Sequence, residues 1–271
     1  FSLLISYSFN LNHSNSLSFG VTVSGVIQLI FLIFFTTKYY KPSIKFKLRI
    51  SSKIRLFFKK LLPSIFSSGI TQINILIGTI IASFEAGAVS YLYYADRIYQ
   101  INLAIAGIAI GTVSLPILSK AIKKKNISSI SKIQNRALEL CLMLSIPASM
   151  GLIISSEEIV NALFGYGSFS EENVAMTALA LKYFGFGVPA FALIKVLSNF
   201  YFARDNTISP FYISFFIMLL NITISLYFFR AIGFIIIPIA TSVSTWIGVL
   251  TYFFFLKKNN FIILKKYFFN N

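Results

Sequence analysis

Apolar runs of about twenty residues recur along this chain, separated by shorter polar stretches, and that repeat decides its fold class. About twenty residues of helix cross a ~30 Å hydrocarbon layer, and within that layer a helix satisfies its backbone N–H and C=O groups from its own turns. Apolar windows predict about seven spans, near residues 20–37, 62–84, 98–119, 138–155, 174–202, 210–229 and 232–256. The chain is therefore expected to be an all-α, polytopic transmembrane helix bundle. It starts at Phe1, and FSLLISYSF reads as the tail of an earlier apolar segment, so a piece of a longer protein is expected. No basic start, short apolar core and small-residue cleavage site marks a signal peptide.

The charges between the spans give an orientation. The connector 38–60 holds Lys38, Lys41, Lys45, Lys47, Arg49, Lys53, Arg55, Lys59 and Lys60, and 120–137 holds Lys120, Lys123, Lys124, Lys125, Lys132 and Arg136. The connectors between them are acidic or neutral: Glu85 and Asp96 accompany Arg97, and Glu157, Glu158, Glu171 and Glu172 occupy 156–173 without a base. With Arg204, and with Lys257, Lys258, Lys265 and Lys266 after the last span, twenty of the twenty-four bases fall on every second connector. Cytoplasmic loops collect Lys and Arg, so those connectors are expected inside. The domain reading follows: 1–61 holds the end of one span, a complete span and a basic cytoplasmic linker; 62–256 is a helical lobe of six spans; 257–271 is a basic cytoplasmic tail or linker. Within the linker, RISSKIRLFFKKLLPS has the pattern of a helix lying among anionic headgroups, or of the start of the next span.

Composition also removes some functions. Cys141 is the only cysteine and His13 the only histidine, which leaves no internal disulfide, no Cys-based zinc site and no Cys/His nucleophile pair. A net charge of +16 would suggest nucleic acid for a soluble protein; here the charge is accounted for by the basic connectors, and no nucleic-acid partner is expected. No paired carboxylates or nucleophile with its base points to an enzyme, and no cofactor is implied.

Polar residues inside spans are the functional candidates, because an ionisable group in the membrane is costly and normally faces a bundle interior or a hydrated cavity. Asp96 and Arg97 are the only charges between Ala86 and Ser119, a run too long for one simple crossing, so this segment is expected to enter the membrane, break and continue. The pair is either an anchor at the outer rim or a cavity site, in which Asp96 orients the Arg97 guanidinium to grip a phosphate with two parallel hydrogen bonds. Lys195 lies deep in the run 174–202 and either snorkels or faces the cavity. Ser64, Ser67, Ser68, Thr71 and Gln72 form a polar stripe, with Asn74 and Thr79 nearby, suited to helix packing or to a cavity wall. In the cavity reading Gln72 and Asn74 join Arg97, Asp96 and Lys195 as substrate-binding candidates. Pro116, Pro147, Pro189 and Pro238, with Gly185 and Gly187, interrupt spans as in transporters that bend.

The stretch LPSIFSSGITQINILIGTIIASFEAGAVSYLYYADRIYQINLAIAGIAIGTVSLPILSK resembles the opening of the second helical bundle of the MurJ (MviN) family of bacterial lipid II flippases, in the MATE-like MOP exporter superfamily. ALFGYGSFSEENVAMTALAL and FGVPAFALIKVLSNFYFARDNTISP are similar to later parts of the same family, and the resemblance covers most of residues 20–256. It implies a fourteen-helix protein of two lobes around a cavity, of which this chain supplies the end of helix five, helix six and helices seven to twelve. It implies alternating access that moves the undecaprenyl-pyrophosphate-linked peptidoglycan precursor to the outer leaflet of the bacterial inner membrane. The family's Ala-Asp-Arg motif, with an essential cavity arginine, corresponds to Asp96 and Arg97. Where some members carry an acid three residues after that arginine, this chain has Gln100, which removes the side chain on which an ion or proton role would rest.

The expected partners are lipid II, membrane lipids and cell-wall synthesis proteins, with membrane potential or an ion gradient as the driving force. The competing readings are a flippase for another polyprenyl-linked glycan, a MATE-type antiporter, and a transport-inactive scaffold for cell-wall assembly. An antiporter calls for a deep acid, and Asp96 is the one acid expected to fill that role; a scaffold tolerates neutral residues at 97 and 195.

Overall fold

A computed structural model of the chain describes residues 13–39 and 52–262. It divides into two compact units, residues 1–51 and 52–271. In the first unit, helix α1 (His13–Tyr39) carries Val26, Ile27, Leu29, Ile30, Phe31 and Leu32 with only Gln28 among them, so apolar side chains point in all directions around its axis. Such a helix suits a span rather than a soluble surface.

The second unit opens with α2 (Ser52–Ala82), which begins at Ser52 rather than at residue 62. The end of the basic linker is therefore helical and continuous with the helix of the second expected span, because no residue between Ser52 and Ala82 interrupts it; residues 40–51 lie outside the described residues. A turn ends at Gly87, whose φ of 78° is left-handed and favours glycine. There follow α3 (Ala88–Leu103), a π-helical turn (Ala104–Ala109) and α4 (Ile110–Lys123). Asn126 caps α5 (Ile127–Ile154), its side-chain oxygen accepting from the Ser129 N–H at 2.9 Å. A short α6 (Ser156–Phe164) leads to α7 (Glu171–Phe202), capped by Ser170 with Glu171 and Glu172 in the first turn. Helix α8 (Ile208–Ile232) reverses through a 3₁₀ turn (Gly233–Ile235) into α9 (Ile236–Lys258).

All seven expected spans are long helices, and the protein is a multi-pass membrane protein. Ser18–Tyr39, Ala88–Lys123, Ile127–Ile154, Glu171–Phe202 and Ile208–Lys258, the last comprising α8 and α9, are long and apolar enough to cross a membrane. Within α2, Gly69–Ala82 is a shorter apolar portion. Lys257 and Lys258 form the last turn of α9 rather than a tail, while Lys265 and Lys266 lie outside the described residues.

The expected break between Ala86 and Ser119 does not occur. The run is one continuous helix of 36 residues, about 54 Å at 1.5 Å per residue, with the π turn in its middle. The reason lies in its partner α7. Ala95 is buried, Tyr99 stacks on Phe184 and Phe191 of α7, Leu103 packs on the core, and Gly107 and Gly111 lie against Ala192 and Asn199 of α7. That contact recurs every fourth residue over sixteen residues, whereas an unbroken α-helix would rotate it away by about 160°. The slower winding of a π turn keeps one face on α7.

Helix α7 is the centre of the second unit. It packs chiefly on α5, α9 and α3, while α8 joins α9 to α2. Leu181, Val188, Val196, Leu197, Phe200 and Tyr201 on α7 have no exposed surface. Pro189 removes the N–H that would bond Gly185 O, and the Ser149 hydroxyl of α5 donates to that carbonyl at 2.7 Å. Ser242 and Trp246 of α9 donate to the carbonyls of Tyr183 (2.8 Å) and Phe186 (2.9 Å) on the same stretch. Replacing Ser149 by Ala leaves the Gly185 carbonyl without that donor and is expected to cost about 1 kcal/mol. Reversible unfolding in detergent measures this cost; an unchanged midpoint would show that the bond contributes nothing.

The two ends of the unit differ in charge. One end carries Lys120, Lys123, Lys132, Arg204, Lys257 and Lys258. There the chain leaving α9 folds back, so that Phe261 O accepts from Gln134 (2.7 Å) and Arg204 (2.7 Å) and the Phe261 ring lies under the guanidinium. The other end carries Glu85, Glu157, Glu158, Glu171 and Glu172. There the Glu85 carboxylate accepts from Phe234 N–H at 2.7 Å and joins the α2–α3 turn to the α8–α9 turn.

Candidate functional site

The site begins with helical spacing on α3. Side chains four apart lie above one another, whereas adjacent ones diverge by about 100°. Accordingly the Arg97 guanidinium donates from Nη2 to the Tyr93 hydroxyl at 3.1 Å and lies over the Tyr93 ring, 4.8 Å from its centroid. Asp96 accepts from Gln100 Nε2 and has Tyr99 as a further side-chain partner. Among the described residues no ion pair within 4.0 Å joins Asp96 to Arg97, and the guanidinium donates instead to the Tyr93 hydroxyl. Both signals were present in the sequence as i, i+4 pairs.

Arg97 and Tyr93 are exposed on the side of α3 away from α7, and Ser90 and Ile101 continue that face. Tyr99, two residues on, points the other way into α7. One of the five guanidinium N–H donors is spent on Tyr93, and the fork remains suited to a doubly coordinated phosphate. The tyrosine face supplies cation–π attraction that stiffens the side chain without neutralising it.

Lys195 is exposed on α7, and its backbone lies level with Gly111 of α4. Arg97 precedes Gly111 by 14 residues, about 20 Å along the helix. The two cations therefore cannot hold the same phosphate, and they stand toward opposite ends of the unit.

The two candidates on α2 separate. Asn74 Oδ1 accepts from Asn221 Nδ2 of α8 at 2.9 Å, and Ser225 continues the chain to Asn221 at 3.4 Å. Asn74 is thus engaged in helix packing, the alternative reading of the polar stripe, because an amide in a span finds a cross-helix partner in preference to lipid. Thr71 and Gln72, adjacent on that helix, are both exposed. The side chains of Ser64, Ser67 and Ser68 lie outside the described residues. Glu85, which sequence reasoning left as a loop acid, instead ties two turns together.

Comparison with known proteins places this arrangement in a family. Residues 1–270 match the family described as lipid II flippase MurJ. A protein of Rhizobium meliloti (strain 1021) named probable lipid II flippase MurJ is 37% identical over 238 residues, covering 88% of this chain and 44% of that protein. Its namesake in Rickettsia prowazekii (strain Madrid E) is 35% identical over 234 residues, covering 85% and 46%. The chain spans about half the length of the curated relatives it matches. A solved structure of lipid II flippase MurJ in an inward closed conformation superposes with a TM-score of 0.75 at 28% identity, covering 96% of this chain and 54% of that one. An outward-facing multidrug resistance MATE transporter of the MOP superfamily has a TM-score of 0.66 at 14% identity, covering 78% and 47%, a likeness of fold alone. On the strength of a match that runs through residues 1–270, the chain belongs to the MurJ family.

Proposed function

We propose that this chain forms part of a lipid II flippase of the bacterial inner membrane, in which Arg97 receives the pyrophosphate of the undecaprenyl-linked peptidoglycan precursor during alternating access. The observation that carries this reading is the guanidinium of Arg97, set within a spanning helix, exposed, and held over the Tyr93 ring with a hydrogen bond to the Tyr93 hydroxyl. A charge in such a position is expensive unless it serves a polar partner. A pyrophosphate presents the oxygen pairs that a planar fork recognises. In this reading the basic end of the second unit is cytoplasmic by the positive-inside rule. Lys195, nearer that end, meets the phosphate at a different stage from Arg97, and Gln72 contributes to the cavity wall. Membrane potential or an ion gradient supplies the driving force, and cell-wall synthesis proteins consume the exported precursor.

The test is rescue. The protein, expressed with whatever sequence flanks residues 1–271 in its gene, is placed in bacteria depleted of their own lipid II flippase, and precursor at the outer face is quantified by labelling. Restored export is the expected result. Correct membrane insertion without export of lipid II would refute the cargo, and export of a different polyprenyl-linked glycan under the same conditions would reassign it.

A further inference from the structure

Between the π turn with α4 and the first half of α5 runs a groove of about 780 Å³. That is within the range of about 300–1,000 Å³ typical of ligand sites. Its walls are largely apolar: Ile105, Ile110, Val113 and Ile117 on one side, Ile133, Leu140 and Leu144 on the other. Only one end is charged, by Lys132 and Arg136 with Glu139 beside them, and this is the end of the unit that also carries Lys120 and Lys123. From Lys132 to Leu144 the groove extends about 18 Å at 1.5 Å per residue, close to the depth of one leaflet of a ~30 Å hydrocarbon core. An occupant that matches has one anionic head and an apolar chain of about one leaflet's length.

We infer that this groove holds an anionic phospholipid of the leaflet on the basic side, its phosphate between Lys132 and Arg136 and one acyl chain along Ile105–Ile117 and Leu140–Leu144. Arg136 and Glu139 stand 3.7 Å apart with side chains 69% and 48% exposed, so their pairing is weak and leaves the guanidinium able to turn to a phosphate. Charge complementarity selects the occupant: a zwitterionic lipid fills the apolar part equally well but returns a positive choline to a basic rim. This site is independent of the cargo and of Arg97, which lies on the far half of the same long helix.

The experiment uses the protein in vesicles carrying a trace of phosphatidylglycerol with a diazirine in its acyl chain, or the phosphatidylcholine equivalent, followed by light and peptide mapping. The expected result is labelling of 105–117 and 133–144 by the phosphatidylglycerol probe, competed by unlabelled phosphatidylglycerol and not by phosphatidylcholine. Each base contributes roughly a five-fold preference for the anionic head, so Lys132→Gln with Arg136→Gln removes the preference, and Glu139→Gln raises it by releasing Arg136. All three side chains are exposed, and unchanged thermal unfolding of the variants shows that the loss is not misfolding. Equal labelling by the phosphatidylcholine probe overturns the inference. So does an unlabelled groove, which means that another segment covers it, or competition by undecaprenyl pyrophosphate in place of phosphatidylglycerol, which assigns the groove to the carrier.

Discussion

Arg97→Ala is expected to lower export by roughly 100-fold or more in the rescue assay, at normal membrane levels of the protein. Two charge-assisted hydrogen bonds to a phosphate contribute about 1.5–3 kcal/mol each, and alanine removes both along with the field that attracts the anion. Arg97→Lys keeps the charge as a compact ammonium without the planar fork, so an intermediate level is expected. The geometry adds a comparison that separates two readings of the Asp-Arg dipeptide. Since the guanidinium rests on Tyr93 and not on Asp96, Tyr93→Ala is expected to lower export more than Asp96→Asn does, and Tyr93→Phe, which retains the ring and loses only the phenol acceptor, to have the mildest effect at that position. Full export by Arg97→Ala would reduce the residue to an anchor. A larger loss from Asp96→Asn than from Tyr93→Ala would return the orienting role to Asp96.

Sequence alone located the spans well because each is a long apolar run with charge at its ends, and both signals are local. Each predicted span falls mainly in a helix, although 62–84 and 138–155 run a residue or two past a helix end and 232–256 takes in the 3₁₀ turn; elsewhere helix ends extend past the apolar windows, as at Ser52 and Ala88. What depended on partners was harder to see. Asn74 reads equally as cavity wall or packing residue until Asn221 of α8 is found opposite it, 147 positions away. Glu85 reads as a loop acid until Phe234 N–H arrives from another turn. For Asp96 and Arg97, adjacency in the chain does not bring the two side chains into direct contact. The rule that neighbours on a helix sit three or four residues apart points to Tyr93 and Gln100 without a structure. The same arithmetic identifies Gly185 O as the carbonyl freed by Pro189, although not that Ser149 supplies its donor. The π turn at Ala104–Ala109 has no sequence signature of its own; its physical cause is the four-residue repeat of small and aromatic contacts with α7, visible only once α7 is known to be the partner.

That repeat makes Gly107 a position where added bulk should harm the packing of this long helix on α7. A Cβ there would stand 3.0 Å from Ala192 Cα and 3.1 Å from a Leu103 methyl, and the first of these is backbone of the most buried helix in the unit. A side-chain obstacle could rotate aside, as the Leu103 methyl can; a Cα of α7 moves only if the helix moves. Gly107→Ala is therefore expected to destabilise by about 1–3 kcal/mol, and Gly107→Leu by more, with loss of the folded form in detergent. Ala192→Gly removes only the milder 3.4 Å contact with the Ala192 methyl, so it should rescue Gly107→Ala in part and Gly107→Leu hardly at all. Thermal unfolding of the four proteins reads the ordering. Wild-type stability in Gly107→Leu would mean that α3, the π turn and α4 can draw back from α7 without cost, and the contact with α7 would then not be what holds the π turn in place.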